Sequence, residues 1–332
     1  MGKQDSITKQ YMSDNEKFAD IYNMYIYNGK QIIKPEDLQE LDTSELVLPF
    51  SGKKLISVQR YRDIFKSLTL KTTGKAIYAL VGIENQTHIH YAMPVRDMLY
   101  AALRYSKQVQ DLAKQNRQKA ADSSEFLSGI SKEQKLIPVI TLIVYFGTEP
   151  WDAPTSLKEM LCELDEVLDK YVQDYKIYVV SVHLPDKKIA KLQTGLREVF
   201  QFVKYSPDKK QLPNVLNKNK RFKKLDKETA FLIKAITNVD VSIDPEEEEV
   251  DMCQAVKDLI DDRTKEIQAE IIELEKANKK AREEGREEGE QVGMLKVLSG
   301  MVQDNVISLA EAAKRMKMTV AKFKNAAKKV AL

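Results

Sequence analysis

The sequence predicts an α/β domain with a mixed β-sheet, followed by a helical C-terminal extension. Apolar runs of strand length alternate with amphipathic segments of helical length through the first two-thirds of the 332-residue chain. One run, residues 136–146, is almost continuously apolar, which is typical of a central strand covered on both faces. After about residue 240 the pattern changes to long charged stretches with helical periodicity.

Each element of the α/β domain follows from a local pattern. Ser13 or Asp14 can cap a first helix, the turn signal Asn28-Gly29 ends it, and Pro94 suits the first turn of a later helix. The predicted helices are residues 13–27, 94–117, 155–171 and 226–238. The predicted strands are residues 44–51, 55–70, 76–87, 136–146 and 176–184. For the helix at 94–117 the predicted core-facing residues are Val95, Met98, Leu99, Ala102 and Tyr105.

The C-terminal third predicts helices of a different kind. Residues 251–281 are strongly charged with one apolar side, so this helix is expected to pair with a second copy of the chain or to dock weakly. In the repeat at 282–289 each glycine disfavours an isolated helix by roughly 1 kcal/mol, and Glu–Arg neighbours at helical spacing partly offset this cost. Ser308 and Thr319 each open a short amphipathic segment, the outline of a helix-turn-helix. We therefore predict an α/β domain at 1–240, a charged helical or coiled-coil-like linker at 241–300 and a helix-turn-helix-like tail at 301–332.

Composition narrows the function classes. With 43% hydrophobic and 31% charged residues the chain can bury a core, and its net charge of +3 does not by itself indicate a nucleic-acid binder. Cys162 and Cys253 have no metal-ligand spacing and are expected to be buried thiols in a reducing cytosol. No N-terminal leader pattern or long apolar run occurs, so we expect a soluble, cytoplasmic protein without membrane contact. Phosphate-loop, Ser-His-Asp and Cys-His patterns are absent from the sequence.

Polar residues stand at the end of the predicted strand 76–87. Alternate residues of a strand share a face, so Glu84 and Gln86 should project together beside an apolar run that must be buried. Asp63 lies on the preceding predicted strand and would join them if the two strands pair. Two carboxylates are what Mg²⁺ or another divalent cation takes from a protein, because the remaining positions are left for water and phosphate oxygens. The pattern therefore predicts a metal-dependent phosphodiesterase.

These residues also have less specific interpretations. Asp63 follows Arg60 and Arg62, and an ordinary ion pair on a strand surface would explain it. His88 and His90 are spaced to share a strand face and could bind a transition metal, but no further His or Cys lies close by in sequence.

One known family shares the order of four segments of this chain. The segments are Phe18-Ala19-Asp20-Ile21-Tyr22-Asn23, Arg60-Tyr61-Arg62-Asp63, Gly82-Ile83-Glu84-Asn85-Gln86 and Tyr91-Ala92-Met93-Pro94-Val95-Arg96. Their order resembles the bacterial recombination-promoting nuclease / putative transposase family, and Asp…Glu-x-Gln is similar to a variant motif of the PD-(D/E)xK nuclease superfamily. The likeness runs from Phe18 to Gly147. It implies a restriction-endonuclease-like mixed sheet flanked by helices, in a bacterial Mg²⁺-dependent DNA endonuclease linked to recombination or transposition.

The resemblance also implies residue roles. Asp63 and Glu84 correspond to the metal-binding pair, the backbone carbonyl of Asn85 would complete the coordination, and Asp20 could add an outer ligand. Gln86 takes the position of the superfamily's Lys. An amide can orient the attacking water, but it cannot neutralise the developing negative charge, so more of that task falls on the metal.

Basic residues are expected to contact DNA phosphates. The candidates are Arg96, Arg104 and Lys107 on the helix after the motif, and Lys220 and Arg221 in the basic stretch 204–224. An ordinary solvated loop explains that stretch equally well. Because Gln replaces Lys, a catalytically degenerate nuclease fold that binds DNA or a partner is the main alternative. An RNA nuclease is a further one.

Overall fold

The structure, a computed structural model, describes residues 3–41, 64–72, 75–116, 123–244 and 246–330. The chain forms two compact units, Met1–Lys257 and Asp258–Leu332. The predicted strand at 44–51, the first part of the predicted strand at 55–70, and Asp63 lie outside the described residues.

The first unit alternates helices and strands, as the sequence predicts. Its helices are α1 (Lys3–Ser13), α2 (Asn15–Tyr25), α3 (Met93–Asn116), α4 (Ser123–Ser128), α5 (Asp186–Ile189), α6 (Leu196–Tyr205), α7 (Gln211–Lys218) and α8 (Lys227–Thr237). Its strands are β1 (Leu38–Glu40), β2 (Ile64–Thr72), β3 (Lys75–Gln86), β4 (Val139–Tyr145), β5 (Tyr178–Ser181), β6 (Leu225–Asp226) and β7 (Glu249–Val250). The helix α9 (Met252–Gln303) follows, and then α10 (Leu309–Arg315) and α11 (Val320–Val330).

Within the described residues, five strands form the mixed sheet, in the order β1-β2-β3-β4-β5. The β1–β2 and β2–β3 pairs are antiparallel, whereas β3–β4 and β4–β5 are parallel. The parallel connection from β3 to β4 runs through α3, as parallel strands require a long crossover. The predicted α/β class with a mixed sheet is confirmed, and the apolar run at 136–146 contains the buried strand β4.

Helices α2 and α3 cover opposite faces of this sheet. The Nζ atom of Lys66 on β2 lies 5.4 Å from the centroid of the Phe18 ring of α2. The guanidinium of Arg104 on α3 lies 4.2 Å from the centroid of the neighbouring ring, that of Phe65. Because successive side chains of a strand point to opposite faces, α2 packs on one face and α3 on the other. Each face of the sheet is thus packed by a helix.

The predicted helix at 155–171 is wrong. This segment holds only the 3₁₀ turns Lys158–Met160 and Leu168–Tyr171 within a loop. Local polar contacts compete with the helix: the carboxylate of Asp165 accepts from the amides of residues 167 and 168, and Lys158 Nζ donates to Asp169 at 2.8 Å. Asp side chains favour such turns over helix interiors. Helical periodicity alone therefore misled the prediction.

Three further expectations are corrected. The predicted core side of α3 is wrong, since Val95 is exposed, and the buried side includes the charged residues Asp97 and Arg104. Much of the basic stretch at 204–224 is helical rather than loop, because α7 and a 3₁₀ turn fall within it. The expectation of two buried thiols is wrong, since Cys162 is exposed and Cys253 is only partly buried. Helix α9 runs through the glycine-containing repeat at 282–289, inside the segment that the sequence predicts to be helical.

Gly195 allows a close approach between three helices of the first unit. A Cβ atom at this position would lie 2.2 Å from Thr229 Oγ1 on α8 and 2.8 Å from the hydroxyl oxygen of Tyr11 on α1. These two hydroxyls are hydrogen-bonded to each other at 2.8 Å. The N-terminus of α6 can therefore reach this pair only without a side chain.

We expect Gly195→Ala to lower the free energy of unfolding of the first unit by about 1–3 kcal/mol, because the added methyl group overpacks a buried polar contact. The matched control is Gly289→Ala, where a Cβ atom would meet nothing within 4 Å. That change should leave stability unchanged or raise it slightly, since Ala favours a helix more than Gly. Thermal denaturation of both variants checks this. If Gly195→Ala and Gly289→Ala had equal melting temperatures, the space around Gly195 would accept a side chain and the contact would not require glycine.

Candidate active site

Glu84 lies buried near the carboxyl end of the central strand β3. Only 2% of this residue is exposed. In the β3–β4 register it lies opposite Ile143, and it follows the buried residues Gly82 and Ile83. A buried carboxylate is costly unless a charge or hydrogen bonds compensate it. Its position therefore requires a partner from a neighbouring element.

That partner is Arg96 in the first turn of α3. Its Nη2 atom lies 2.5 Å from Oε1 of Glu84. The Nε atom of Arg96 donates to the Tyr100 hydroxyl at 3.3 Å, and its guanidinium lies 5.8 Å from the centroid of that ring. About 30% of the Arg96 side chain is exposed, against 3% for Glu84. The arginine thus neutralises the buried carboxylate and still reaches solvent.

Gln86 joins Glu84 on the same face of β3, as the alternation predicts. Its Nε2 atom donates to Oε1 of Glu84 at 3.4 Å. Its backbone carbonyl accepts from the amide of Phe146 at 2.8 Å, which fixes the strand end against β4. Asn85 lies between them, so its side chain points to the opposite face. Three of the predicted residues, Glu84, Gln86 and Arg96, are therefore in contact.

Asp63 lies outside the described residues, so the second predicted carboxylate is not part of this geometry. Its chain neighbour Ile64 lies opposite Ile83 in the antiparallel β2–β3 ladder. Within the described ranges, no three His, Cys, Asp or Glu side chains come together as a metal site.

The carboxylate of Asp20 holds a loop. Its two oxygens accept from the backbone amide of Gln193 at 3.0 and 2.9 Å. One of them, Oδ2, also accepts from the amide of Thr194 at 2.8 Å and from its hydroxyl at 2.7 Å. Asp20 is 2% exposed, so these donors replace water around it. This arrangement gives Asp20 the role of fixing the loop before α6 against the middle of α2.

The predicted phosphate-contacting residues divide into two groups. Lys107 and Lys220 are exposed, and Arg96 is partly exposed, so these three can reach a ligand. Arg104 is buried against Phe65, which corrects its placement on the surface. Arg221 forms an ion pair with the buried Glu198 at 3.3 Å and donates to the Gln193 carbonyl at 3.2 Å. These contacts give Arg221 a role in stabilising the fold.

The histidine pair does not lie on a strand. Strand β3 ends at Gln86, so the expectation that His88 and His90 share a strand face is wrong. The Nδ1 atom of His88 is within hydrogen-bond distance of Thr87 Oγ1, at 3.1 Å. The turn at residues 91–92 then leads directly into α3.

The sequence did not predict the two aromatic residues beside Gln86, which are Tyr145 and Trp151. Tyr145 lies opposite Gln86 in the parallel β3–β4 register, so the two side chains share a face. Burial, with Glu149 and Asp152 nearby, raises the pKa of Tyr145 above its ordinary value. The Trp151 ring meets the Tyr145 ring edge-on at 5.2 Å, and Gly147 leaves room for the tyrosine hydroxyl. Within an apolar strand, Tyr145 carried no sequence signal except its place two residues before Gly147.

The donor set at the end of β3 fits a hard divalent cation. Carboxylate, side-chain amide and backbone carbonyl oxygens are ligands that Mg²⁺ accepts. The guanidinium of Arg96 already lies against Oε1 of Glu84, so a bound cation would share this carboxylate with the arginine.

We expect Asp20→Ala to lower the free energy of unfolding by about 2–4 kcal/mol relative to the wild type, because it removes a buried acceptor and leaves two backbone amides without their partner. The isosteric variant Asp20→Asn should lose less, because one amide oxygen still accepts. Chemical denaturation measures both. If Asp20→Ala retained wild-type stability and instead lost metal binding, Asp20 would be a ligand rather than the residue that fixes this loop.

Comparisons with known proteins give one match. The model of a family described as "putative transposase, YhgA-like" matches residues 3–230, which include the whole five-stranded sheet and the site at the end of β3. No curated protein and no solved structure matches the chain. None of the helices in the described ranges is long and apolar enough to cross a membrane.

Proposed function

The chain belongs to the YhgA-like putative transposase family, and from this premise we propose that it is a divalent-metal-dependent DNA endonuclease acting in transposition or recombination. Membership of this family points to a role on DNA in transposition or recombination. The endonuclease activity and the metal are our proposal. The observation that carries it is the buried Glu84 carboxylate, which Arg96 neutralises and Gln86 contacts at the carboxyl end of a parallel strand.

A carboxylate in this place is difficult to explain as a structural feature alone. An apolar residue would fill the interior near Ile143 without any desolvation cost, and replacing a buried ion pair in this way is often neutral or stabilising. Ligand sites in α/β sheets lie outside the carboxyl ends of parallel strands, where Glu84 stands. A role in binding a cation and a phosphodiester explains why a charge is kept there.

The proposal requires Asp63 as the second carboxylate. The described β2–β3 ladder begins at Ile64, the chain neighbour of Asp63, and Ile64 lies opposite Ile83, the chain neighbour of Glu84. Mg²⁺ bound by both carboxylates, with the Asn85 carbonyl, would supply an acidified water and neutralise charge on the phosphate.

The chain's own residues then have separate tasks. Gln86 orients the attacking water through its amide, which can both donate and accept. Arg96 balances the charge of Glu84 in the free protein, and its partly exposed guanidinium is placed to bind a phosphate oxygen of the substrate. Exposed Lys107, further along α3, can contact a neighbouring phosphate.

A degenerate nuclease fold that binds DNA without cutting it is the second candidate. Gln86 lacks the positive charge of the superfamily's Lys, and Arg96 occupies one oxygen of Glu84. Both observations are compatible with a site that has lost its metal. A substrate of RNA rather than DNA is a third possibility, which a parallel cleavage assay distinguishes.

We expect Glu84→Gln and Asp63→Asn each to reduce Mg²⁺-dependent nicking of supercoiled DNA by at least about a hundredfold, since each removes a charge that holds the metal. The melting temperature of Glu84→Gln should stay near that of the wild type, because the amide still accepts from Arg96, which also reaches solvent. The matched control is Glu163→Gln on the exposed loop, which should cut normally.

Three outcomes would contradict this assignment. Wild-type protein that binds DNA but does not nick it with Mg²⁺ or Mn²⁺ supports the degenerate fold. A Glu84→Gln variant that loses much of its stability shows that the carboxylate is structural. Faster cleavage of an RNA strand than of a DNA strand of the same sequence would make the protein a ribonuclease.

A second prediction concerns Gln86→Lys. The Nε2 atom of Gln86 lies 3.4 Å from Oε1 of Glu84, so a Lys amine can reach the carboxylate and the scissile phosphate. A cation at this point stabilises the charge that develops on the phosphate, so activity should be retained or raised. Gln86→Met, of similar size but without polar hydrogens, should be slower than both. A folded but inactive Gln86→Lys variant would contradict the role given to this position.

A further inference from the structure

The end of the second unit forms a small helical core of its own. The last turns of α9 pack with α10 and α11, and we refer to residues 292–330 as the tail unit. Its buried residues are Leu295, Leu298, Ala312, Ala313 and Phe323. Phe323, on α11, is 1% exposed, so the apolar side of that helix is covered within the tail unit itself. The opposite side of α11 is left to solvent.

Helices α10 and α11 have the connection of a helix-turn-helix. Residues 316–319 join them, and Lys317 adopts a left-handed conformation with φ 52°. The Ser308 hydroxyl accepts from the amide of Glu311 and caps α10, while the Thr319 hydroxyl accepts from the amide of Lys322 and caps α11. The predicted N-caps are confirmed, and a short turn between two helices is the geometry that presents a second helix to DNA.

The tail unit is far more basic than the chain as a whole. Residues 292–330 contain seven Lys and one Arg against one Asp and one Glu, whereas the complete chain has a net charge of only +3. The basic residues of α11 are all exposed, and they are Lys322, Lys324, Lys328 and Lys329. Positive charge concentrated on one helix side is the electrostatic signature of a nucleic-acid contact.

The exposed side of α11 also has residues suited to reading bases. Ala321, Asn325 and Lys328 follow one another at intervals of four and three residues, so they form one stripe opposite Phe323. In a major groove an Asn side chain can pair with adenine, Lys with guanine and an Ala methyl group with that of thymine. Large apolar residues, which a membrane-bound helix would expose, are limited on the described part of α11 to Val320 at 42% exposure.

We propose that the exposed side of α11 is a docking surface for duplex DNA. The stripe Ala321-Asn325-Lys328 faces the major groove, and Lys322, Lys324 and Lys329 flank it and contact phosphates. This surface rests on the proposed function only in its choice of DNA as the ligand, because binding by α11 needs neither the metal nor Glu84. It gives the enzyme a means of recognising DNA that is separate from its cleavage site.

The test uses the full-length chain in the presence of EDTA, so that binding is measured without cleavage. Lys324→Gln/Lys328→Gln should weaken binding to a mixed-sequence duplex at least about tenfold at moderate salt. It should also reduce the slope of log Kd against log salt concentration by about 0.9, since Lys324 contacts a phosphate, Lys328 faces the bases, and each lost phosphate contact contributes about 0.9. The matched control is Lys276→Gln/Lys279→Gln on the exposed part of α9, which removes the same charge and should change neither value.

The outcomes separate this inference from the proposed function. Unchanged affinity and salt slope in both Lys324→Gln/Lys328→Gln and the second pair, Lys322→Gln/Lys329→Gln, would overturn the inference even if the enzyme cuts DNA. Equal weakening by the α9 control would show a non-specific charge effect and would also overturn it. Tighter, lysine-dependent binding of duplex RNA or of anionic vesicles would assign the surface to another ligand. If the α11 variants lose binding but the wild type cuts nothing, the docking surface stands and the endonuclease proposal fails.

Discussion

The candidate site of the first unit depends on one constraint, the burial of a carboxylate at the end of its central strand. Arg96, from the first turn of α3, and Gln86 both contact Glu84 and offset the cost of burying it. The ion pair joins the start of α3 to the end of β3. Further along, Arg104 packs on Phe65 and continues the same helix–sheet interface. The catalytic proposal rests on the ion pair, whereas the packing of α3 also has contacts such as that of Arg104.

The sequence correctly predicted those elements whose residue pattern agrees with their burial and their local hydrogen bonds in the fold. Strands β3 and β4, helix α3 and the caps at Ser308 and Thr319 follow from apolar runs and local hydrogen bonding, and the structure contains them. Alternation along β3 also placed Glu84 and Gln86 on one face, where they are in contact. These features are local, so a single sequence is enough to find them.

Tertiary contacts decided the features that the sequence did not predict. Arg104 is a basic residue on a helix next to the motif, but an aromatic ring on β2 draws it into the interior. The carboxylate of Asp20 holds a loop that is 173 residues away in sequence. Tyr145 became part of the site only through the β3–β4 register. No spacing rule within one segment reports such contacts, because each depends on a partner that is remote in the chain.

The central claim is that Glu84 and Asp63 share one divalent cation, and radical cleavage around bound Fe²⁺ tests it most directly. Fe²⁺ replaces Mg²⁺ at oxygen-rich sites, and with ascorbate and peroxide it cuts the polypeptide next to the ion. We predict two cuts in the wild type, one around residues 84–86 and one around Asp63, both suppressed by excess Mg²⁺ and absent in Glu84→Gln. A cut elsewhere, or cuts that persist in Glu84→Gln, would contradict the account.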